Sequence, residues 1–243
     1  MNRKLGKLPV RHDKRTILFK DIVFGVTPDF PMALRRDDRV PDVTSMYLND
    51  QIGDCTCASI AHLEEVWTSY GAVRPLLTTQ EVIDFYSAVG GYHPGDESSD
   101  NGADMLTVLK MWRNIGIGQN KRKLDSFVKI DQHEVDHVKS AVNLFAGVYV
   151  GVQLPLTAQK ALDNGLGWYD VNHTDAGTWG GHCLTVSHYD RSGVWFRTWG
   201  VLQRASWQWW TTYVDECYGV ISPVWVHPNG LDMPKLREYL AAL

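Results

Sequence analysis

A cysteine and a histidine lie where thiol chemistry would need them. Cys55 follows Gly53-Asp54 and leads directly into an apolar helical run. Unpaired amides and the helix dipole at such a position favour the thiolate, which is the nucleophilic form of cysteine. His182 follows the turn Trp179-Gly180-Gly181 and opens an apolar strand. A histidine placed there can accept the thiol proton, so the two residues predict a Cys–His pair.

Two nearby residues bear on this prediction. Gln51, four residues before Cys55, can bring its side-chain amide beside the Cys55 backbone amide, and the two donors would then stabilise an oxyanion. Cys57 is the competing nucleophile. We favour Cys55 because Gly53 fixes the helix entry two residues before it, whereas Cys57 is turned ~200° around a helix of about 3.6 residues per turn.

Hydrophobic spacing predicts helices in the first half of the chain and strands in the second. The helices are expected over residues 55–70, 79–89, 105–115 and 131–145. The strands are expected over residues 148–152, 183–188, 193–198 and 220–225, with a hairpin turn at 190–193. Helices followed by strands favour an α+β fold with two segregated lobes. We expect an extended basic segment over 1–44, a helical lobe over 45–128, a β-rich lobe over 129–227 and a C-terminal helix, capped by Asp232, over 228–243.

Five short runs, in the right order, resemble the papain-like cysteine peptidases. They are Gly53–Ser59 at the nucleophile, Asp100-Asn101-Gly102-Ala103 in the loop that lines the substrate cleft, Val148–Leu154 in the strand before the histidine, Gly181–Tyr189 at the histidine and Arg197-Thr198-Trp199-Gly200 at the Asn-Ser-Trp-Gly motif. The resemblance covers roughly residues 38 to 222. The combination looks closest to a papain-like family carried by tailed phages and actinobacterial prophages.

The resemblance implies a papain-like two-lobed fold, with a helical lobe followed by an antiparallel β-barrel-like lobe. It also implies a cysteine hydrolase that cleaves peptide or isopeptide bonds in a peptide or protein substrate. The implied roles are Cys55 as nucleophile, His182 as general base and acid, Gln51 in the oxyanion hole, and Asn101, Gly102 and Trp199 in substrate binding.

Two departures from the papain pattern put activity in question. Gln51 precedes Cys55 by four residues where papain has six, and by that spacing Cys57 would be the nucleophile. Arg197 replaces the Asn that orients the histidine, and a guanidinium accepts no hydrogen bond. It would either turn to a carboxylate such as Asp170 or Asp175 or, the outcome we favour, lie against His182 and lower its pKa. The alternative is therefore a catalytically degenerate papain-fold protein that serves as a phage virion or assembly component.

Other patterns carry less weight. The run His133-Glu134-Val135-Asp136-His137 matches a zinc-peptidase signature, but its histidines lie opposite the apolar side of their helix. We therefore expect neither a metal nor a cofactor. The tryptophans at 207, 209 and 210 are expected to pack in the core rather than to stack on a ligand.

Composition excludes several classes of partner. The net charge of −4 gives no general attraction to nucleic acid, and no apolar run is long enough for a membrane span. Seven basic residues in the first twenty form either a solvated terminus or an arm that docks on an acidic partner, such as a phage structural protein. The basic start lacks the apolar core of a signal peptide, and four cysteines are too few for a disulfide scaffold. We expect a cytoplasmic or virion-associated protein.

Overall fold

The computed structural model describes residues 3–23, 29–42, 44–71 and 76–223. The helices within these residues are α1 (Phe19–Ile22), α2 (Cys55–Thr68), α3 (Thr79–Gly90), α4 (Met105–Ile115), α5 (Val135–Phe145), α6 (Leu156–Asp163) and α7 (Trp207–Tyr213). The strands are β1 (Leu34–Arg35), β2 (Ser126–Ile130), β3 (Val148–Leu154), β4 (Gly180–Tyr189), β5 (Gly193–Thr198), β6 (Val201–Ser206) and β7 (Val214–Ile221). The C-terminal helix expected over 228–243, with its cap Asp232, lies outside the described residues.

The described strands form one antiparallel sheet in the order β2-β7-β3-β4-β5-β6, with β1 paired to β4. The strand that carries His182 therefore lies in the interior of the sheet. Helices precede most of this sheet in the chain, and the predicted α+β class is confirmed.

Helix α2 is the buried centre of the molecule. All 14 of its residues are buried, including the carboxylates Glu64 and Glu65, so its polar side chains must find their partners inside the fold. One hydrophobic core joins α2 to α3 and α4, and a second core lies under α5, α7 and the sheet. Because α2 contacts strand β4 closely, the position of its first residue relative to β4 is fixed by packing.

Local sequence signals located several elements well. Helix α3 begins after the capping box formed by Thr78 and Glu81, and it ends at Gly91, which has a left-handed conformation with φ of 70°. Helix α5 starts at Val135 rather than residue 131. Strand β7 begins at residue 214 rather than 220, and the last two residues of the predicted strand, 224 and 225, lie outside the described residues. The sequence analysis missed β2, α6, β6 and α7, which are short elements stabilised by tertiary packing rather than by a strong period of their own.

The tryptophan cluster packs as predicted. Trp209 and Trp210 are buried, and Trp210 stacks on Phe196 at a ring separation of 5.7 Å. No helix in the described part of the chain is both long and apolar enough to cross a bilayer.

Candidate active site

Cys55 is the first residue of α2, and the turn before it is held by a carboxylate. The backbone N–H of Gly53 donates to both oxygens of Asp100, at 2.9 and 3.0 Å. Asp100 also accepts a 2.7 Å hydrogen bond from the Tyr86 hydroxyl. The loop that begins at Asp100 therefore positions the entry to the nucleophile helix.

The Cys55 thiol is fully buried, and burial raises its pKa to about 12. The backbone N–H groups of Cys183 and Gly6 and the charge of Lys7 lower this pKa, but not enough to offset burial. Cys57 is also buried, and its pKa is raised further by the nearby Asp54. Cys55 is the first residue of α2, whereas Cys57 lies two residues into the helix, and the groups of β4 and of the N-terminal segment lower the pKa of Cys55 alone of the two.

His182 lies on β4, one residue before the amide that contacts Cys55, and its side chain is fully buried. Its Nε2 atom is 2.7 Å from the Thr198 hydroxyl, and its Nδ1 has no hydrogen-bond partner among the described residues. Burial lowers the pKa of His182 to about 3, with a smaller contribution from His62. Both candidate catalytic groups are therefore neutral in this state.

The indole of Trp199 covers His182. The two rings are parallel to within 6° at a centroid separation of 3.9 Å. Trp199 has φ of 42° and Gly200 has φ of 70°, which gives the two-residue hairpin turn that joins Thr198 to Val201. A bulky residue is rarely left-handed, so this turn holds Trp199 over His182 at the expense of about 1 kcal/mol or more of backbone strain.

Thr198 is the site residue that the sequence analysis did not single out. Strand pairing explains its role, since Thr185 on β4 is paired with Arg197 on β5 and paired residues share a face of the sheet. Side chains alternate along a strand, so Arg197 lies on the face of Thr185 and Thr198 on that of His182. Counting back from the predicted hairpin would have placed Arg197 on the face of His182 instead, because the pairing shifts by one residue at a bulge between Val186 and His188.

Arg197 turns away from the histidine and pairs with Glu65 on α2. Its guanidinium also donates to the Asp42 carbonyl oxygen at 2.7 Å. The favoured expectation, Arg197 lying against His182, is wrong, and Arg197 does not contribute to the lowered pKa of that residue. The other expectation, that Arg197 turns to a carboxylate such as Asp170 or Asp175, is right about the turn but not about the partner, which is Glu65. Asp175 accepts instead from the Tyr213 hydroxyl.

Glu65 is the centre of a buried polar network behind the site. It accepts hydrogen bonds from the hydroxyls of Tyr47 and Ser45, and His62 lies 3.5 Å away. These partners together lower the pKa of Glu65 although burial alone would raise it. The network therefore holds a charged carboxylate beside Arg197, and Arg197 serves to join β5 to α2.

The residues expected to bind substrate lie in different settings. Gly102 is buried, and its backbone N–H donates to the Tyr86 hydroxyl oxygen at 2.8 Å. Asn101 is exposed, with its amide donating to the Ser98 carbonyl oxygen. Gln51 is exposed in the turn before α2, and its backbone N–H donates to the Leu48 carbonyl oxygen. Asn49, six residues before Cys55, is the buried amide in this turn.

Residues 3–8, here called the occluding segment, lie across the candidate site. The N–H of Lys7 donates to the Gly181 carbonyl oxygen at 3.2 Å, on the β4 side. On the other side, the Ala103 N–H donates to the Gly6 oxygen at 2.9 Å, and the Leu8 N–H donates to the Ala103 oxygen at 3.1 Å. A Cβ atom on Gly6 would lie 1.8 Å from the Gly53 oxygen, so only glycine allows this approach.

The basic residues of the N-terminal region pair with carboxylates of the same chain. These pairs are Arg3 with Asp163, Lys4 with Asp100, Lys7 with Asp215 and Glu216, Arg11 with Asp104, and Arg15 with Asp13. The segment is thus bound to its own fold in this structure.

The zinc-peptidase pattern has no matching geometry. Helix α5 begins at Val135, so His133 precedes the helix and His137 lies within it, with its ring edge against Phe19. Within the described residues, no group of three or more His, Cys, Asp or Glu side chains could hold a metal ion.

Solved structures with a similar architecture are cysteine proteases. Xylellain, a cysteine protease from Xylella fastidiosa, superposes with a TM-score of 0.67 at 14% identity, covering 91% of this chain and 97% of that chain. The cysteine protease CMS1MS2 of Carica candamarcensis gives 0.55 at 14% identity, with coverage of 79% and 99%. Digestive procathepsin L 3 of Tenebrio molitor larval midgut gives 0.59 at 13% identity, with coverage of 90% and 76%.

These similarities define the class of the molecule. The chain has a papain-like α+β fold, as its sequence predicted. No protein-family profile and no curated protein sequence matches the chain. At such low identity the structural similarity establishes the fold, and the activity has to be argued from the site itself.

Proposed function

We propose that this chain is a papain-like cysteine hydrolase of peptide or isopeptide bonds, held latent by its occluding segment. The observation that carries the proposal is a peptide backbone already bound between the two sides of the cleft beside Cys55. The Gly6 carbonyl oxygen accepts from the Ala103 N–H, and on the opposite side the Lys7 N–H donates to the Gly181 oxygen. A cleft that binds one extended backbone in this way can bind another.

The proposed chemistry uses the neighbours of each group. Because Nε2 of His182 is engaged by Thr198, Nδ1 is the nitrogen that would take the Cys55 proton. The thiolate would attack the substrate carbonyl carbon, and the Cys55 amide at the helix start would stabilise the oxyanion. His182 would return the proton to the leaving amine, and water would then hydrolyse the acyl-enzyme.

Latency follows from burial. With the occluding segment in place, the thiol and the imidazole are both dry, and their pKa values favour the neutral forms. Release of the segment would admit water to the site. Most of the burial that raises the pKa of the thiol and lowers the pKa of the imidazole would then be lost, so the two pKa values would move closer together. One structural neighbour, the Tenebrio molitor protein, is itself a procathepsin.

The test is residue-specific labelling by an epoxide thiol-protease inhibitor, mapped by mass spectrometry. Full-length Lys7→Ala, in which the segment loses its buried anchor, should be labelled at Cys55 and should hydrolyse a mixed peptide library. Cys55→Ala in that background should abolish both signals, while the matched change Cys57→Ala should preserve them. Labelling at Cys57 would reassign the nucleophile.

The alternative remains a degenerate papain-fold protein that serves as a phage virion or assembly component, located in the cytoplasm or the virion. Two neutral candidate groups under a filled cleft are the observation that favours it. In that case the basic N-terminal segment would exchange its internal carboxylates for those of a structural protein. Absence of labelling and hydrolysis in Lys7→Ala, with the segment shown to be released by its proteolytic susceptibility, would support this alternative.

A further inference from the structure

Lys7 is buried in a way that lysine seldom is. Its side chain has no exposed surface, and its Nζ atom lies 2.9 Å from Asp215 Oδ2 and 3.1 Å from Glu216 Oε1. Burial opposes the charge on Lys7, but the two carboxylates outweigh it and raise the pKa of the ammonium group. The lysine is therefore charged, and its partners are matched to that charge.

The two carboxylates are positioned by the body of the protein and not by the occluding segment. Gln153 donates from its side-chain amide to Asp215 Oδ2 at 2.7 Å. Tyr218 donates its hydroxyl to Glu216 Oε2 at 3.1 Å. Neither hydrogen bond involves Lys7, so both can form without it and hold the two carboxylates as a pocket wall.

Gly151 leaves the space that the lysine stem fills. A Cβ atom at this position would lie 2.2 Å from Cε of Lys7 and 2.7 Å from both Cγ of Glu216 and Sδ of Met105. Any side chain at 151 would therefore occupy the pocket itself. We call the space bounded by Gly151, Met105, Asp215 and Glu216 the acidic pocket.

The acidic pocket receives the residue next to the backbone that lies on the nucleophile. Gly6 lies against the backbone of Gly53, two residues before Cys55, and Lys7 follows Gly6 directly. Because consecutive Cα atoms are only about 3.8 Å apart, a side chain held in the pocket fixes the position of a peptide backbone at the start of α2. A pocket in this place decides which peptides are aligned for attack.

An empty acidic pocket would be unfavourable. Loss of the cation would leave the fully buried Glu216 beside Asp215 with no positive charge near it among the described residues, and burial together with Asp215 already raises the pKa of Glu216. We propose that the acidic pocket selects substrates that place a lysine or arginine side chain where Lys7 now lies. This inference rests on the proposed function, because it names the substrate class of the same site.

The experiment uses full-length Lys7→Ala and four peptides that differ at one residue, which is lysine, arginine, norleucine or glutamate. Two signals are measured for each peptide, namely its hydrolysis and its protection of Cys55 against alkylation. Lysine should exceed norleucine about ten-fold in both signals, the value of one hydrogen-bonded charge. Glutamate should give neither signal.

Variants of the pocket test which group supplies the preference for lysine. Adding Glu216→Gln should lower the lysine-to-norleucine ratio several-fold, with Asp215 supplying the preference that is left. Asp136→Asn, at an exposed carboxylate on α5, is the matched control and should leave the ratio unchanged. Should Glu216→Gln fold poorly, Gly151→Ala narrows the pocket without altering its charges and should weaken protection by lysine and norleucine alike.

The outcomes separate the two proposals. Hydrolysis with no preference for lysine over norleucine overturns the acidic pocket and leaves the hydrolase standing. Lysine-selective protection without hydrolysis of any peptide supports the pocket and overturns the hydrolase. Neither protection nor hydrolysis by any peptide overturns both.

Discussion

Two buried cations lie near the candidate site, and they join different parts of the molecule. Arg197 on β5 pairs with Glu65 on α2, so both ends of that ion pair belong to the folded body. Lys7 pairs with Asp215 and Glu216 on β7, so one end belongs to a terminal segment that lies across the cleft. The first pair can break only when the fold opens, whereas the second can break when six residues detach.

This difference separates stability from regulation. Buried ion pairs are poor evidence of net stabilisation, but removal of one partner leaves an uncompensated charge. For Arg197 that penalty falls on the whole fold. For Lys7 the penalty reduces the affinity of the occluding segment for the cleft, so this ion pair controls whether the cleft is covered. The predictions below break one pair at a time.

The largest effect is expected for Arg197→Met. Glu65 would keep its hydroxyl partners but lose its buried cation, at a cost of about 3–5 kcal/mol in the free energy of unfolding. Urea unfolding measures this, with Arg204→Met as the matched control because the side chains of its pair with Asp190 are 41% and 33% exposed. Coupling in a double-mutant cycle with Glu65→Gln would confirm the pair. Gain of peptide hydrolysis in Arg197→Asn would instead support the hypothesis that Arg197 disables catalysis.

Acid should lower the free energy of unfolding, because the folded protein buries two histidines, His62 and His182, in their neutral form. Burial lowers the pKa of His62 and that of His182, the latter to about 3. Below about pH 6.5 the unfolded chain binds protons that the folded chain excludes, so stability falls by up to about 1.4 kcal/mol per pH unit for each histidine. Urea unfolding between pH 7 and 5 measures the slope. His182→Gln should reduce the slope of stability against pH. An unchanged slope in this variant would show that other groups cause the pH dependence.

Lys7→Ala should release the segment without unfolding the protein. We expect alkylation of Cys55 at pH 7 to accelerate about ten- to hundred-fold, since one buried, charge-assisted anchor is lost. Arg11→Ala is the control, because the Arg11 side chain is 66% exposed and its pair with Asp104 should contribute little. Equal acceleration in both variants would show that net charge, rather than the buried pair, holds the segment.

The smallest effect is expected for Thr198→Val. The change removes the hydroxyl beside Nε2 of His182 and leaves the shape of the side chain. As a positioning residue, Thr198 should lower kcat of released Lys7→Ala about ten-fold with KM little changed, and should move the pH profile of Cys55 alkylation. Thr198→Ser should rescue both. A loss of stability with normal kinetics would assign Thr198 a purely structural role.

Local patterns in the sequence were sufficient for much of the fold. Hydrophobic period and caps located α3, α4, β3 and β5 to within a few residues, because these signals lie inside each element. The short elements β6 and α7 were missed, since their stability comes from packing against distant residues. The left-handed Trp199 was also invisible, because a two-residue turn normally takes Asn or Gly there.

The sequence by itself determined which residues could react and the class of fold that carries them. The helix start at Cys55 and the glycine turn and apolar strand at His182 are local patterns, so both residues could be chosen as candidates from the sequence. The tertiary structure alone decided what surrounds them. Thr198 rather than Arg197 reaches the histidine because strand pairing sets the face of each side chain, and Lys7 fills the acidic pocket because folding brings it to β7, more than 200 residues along the chain. Such long-range contacts depend on the packing of the whole chain, and no short stretch of sequence encodes them.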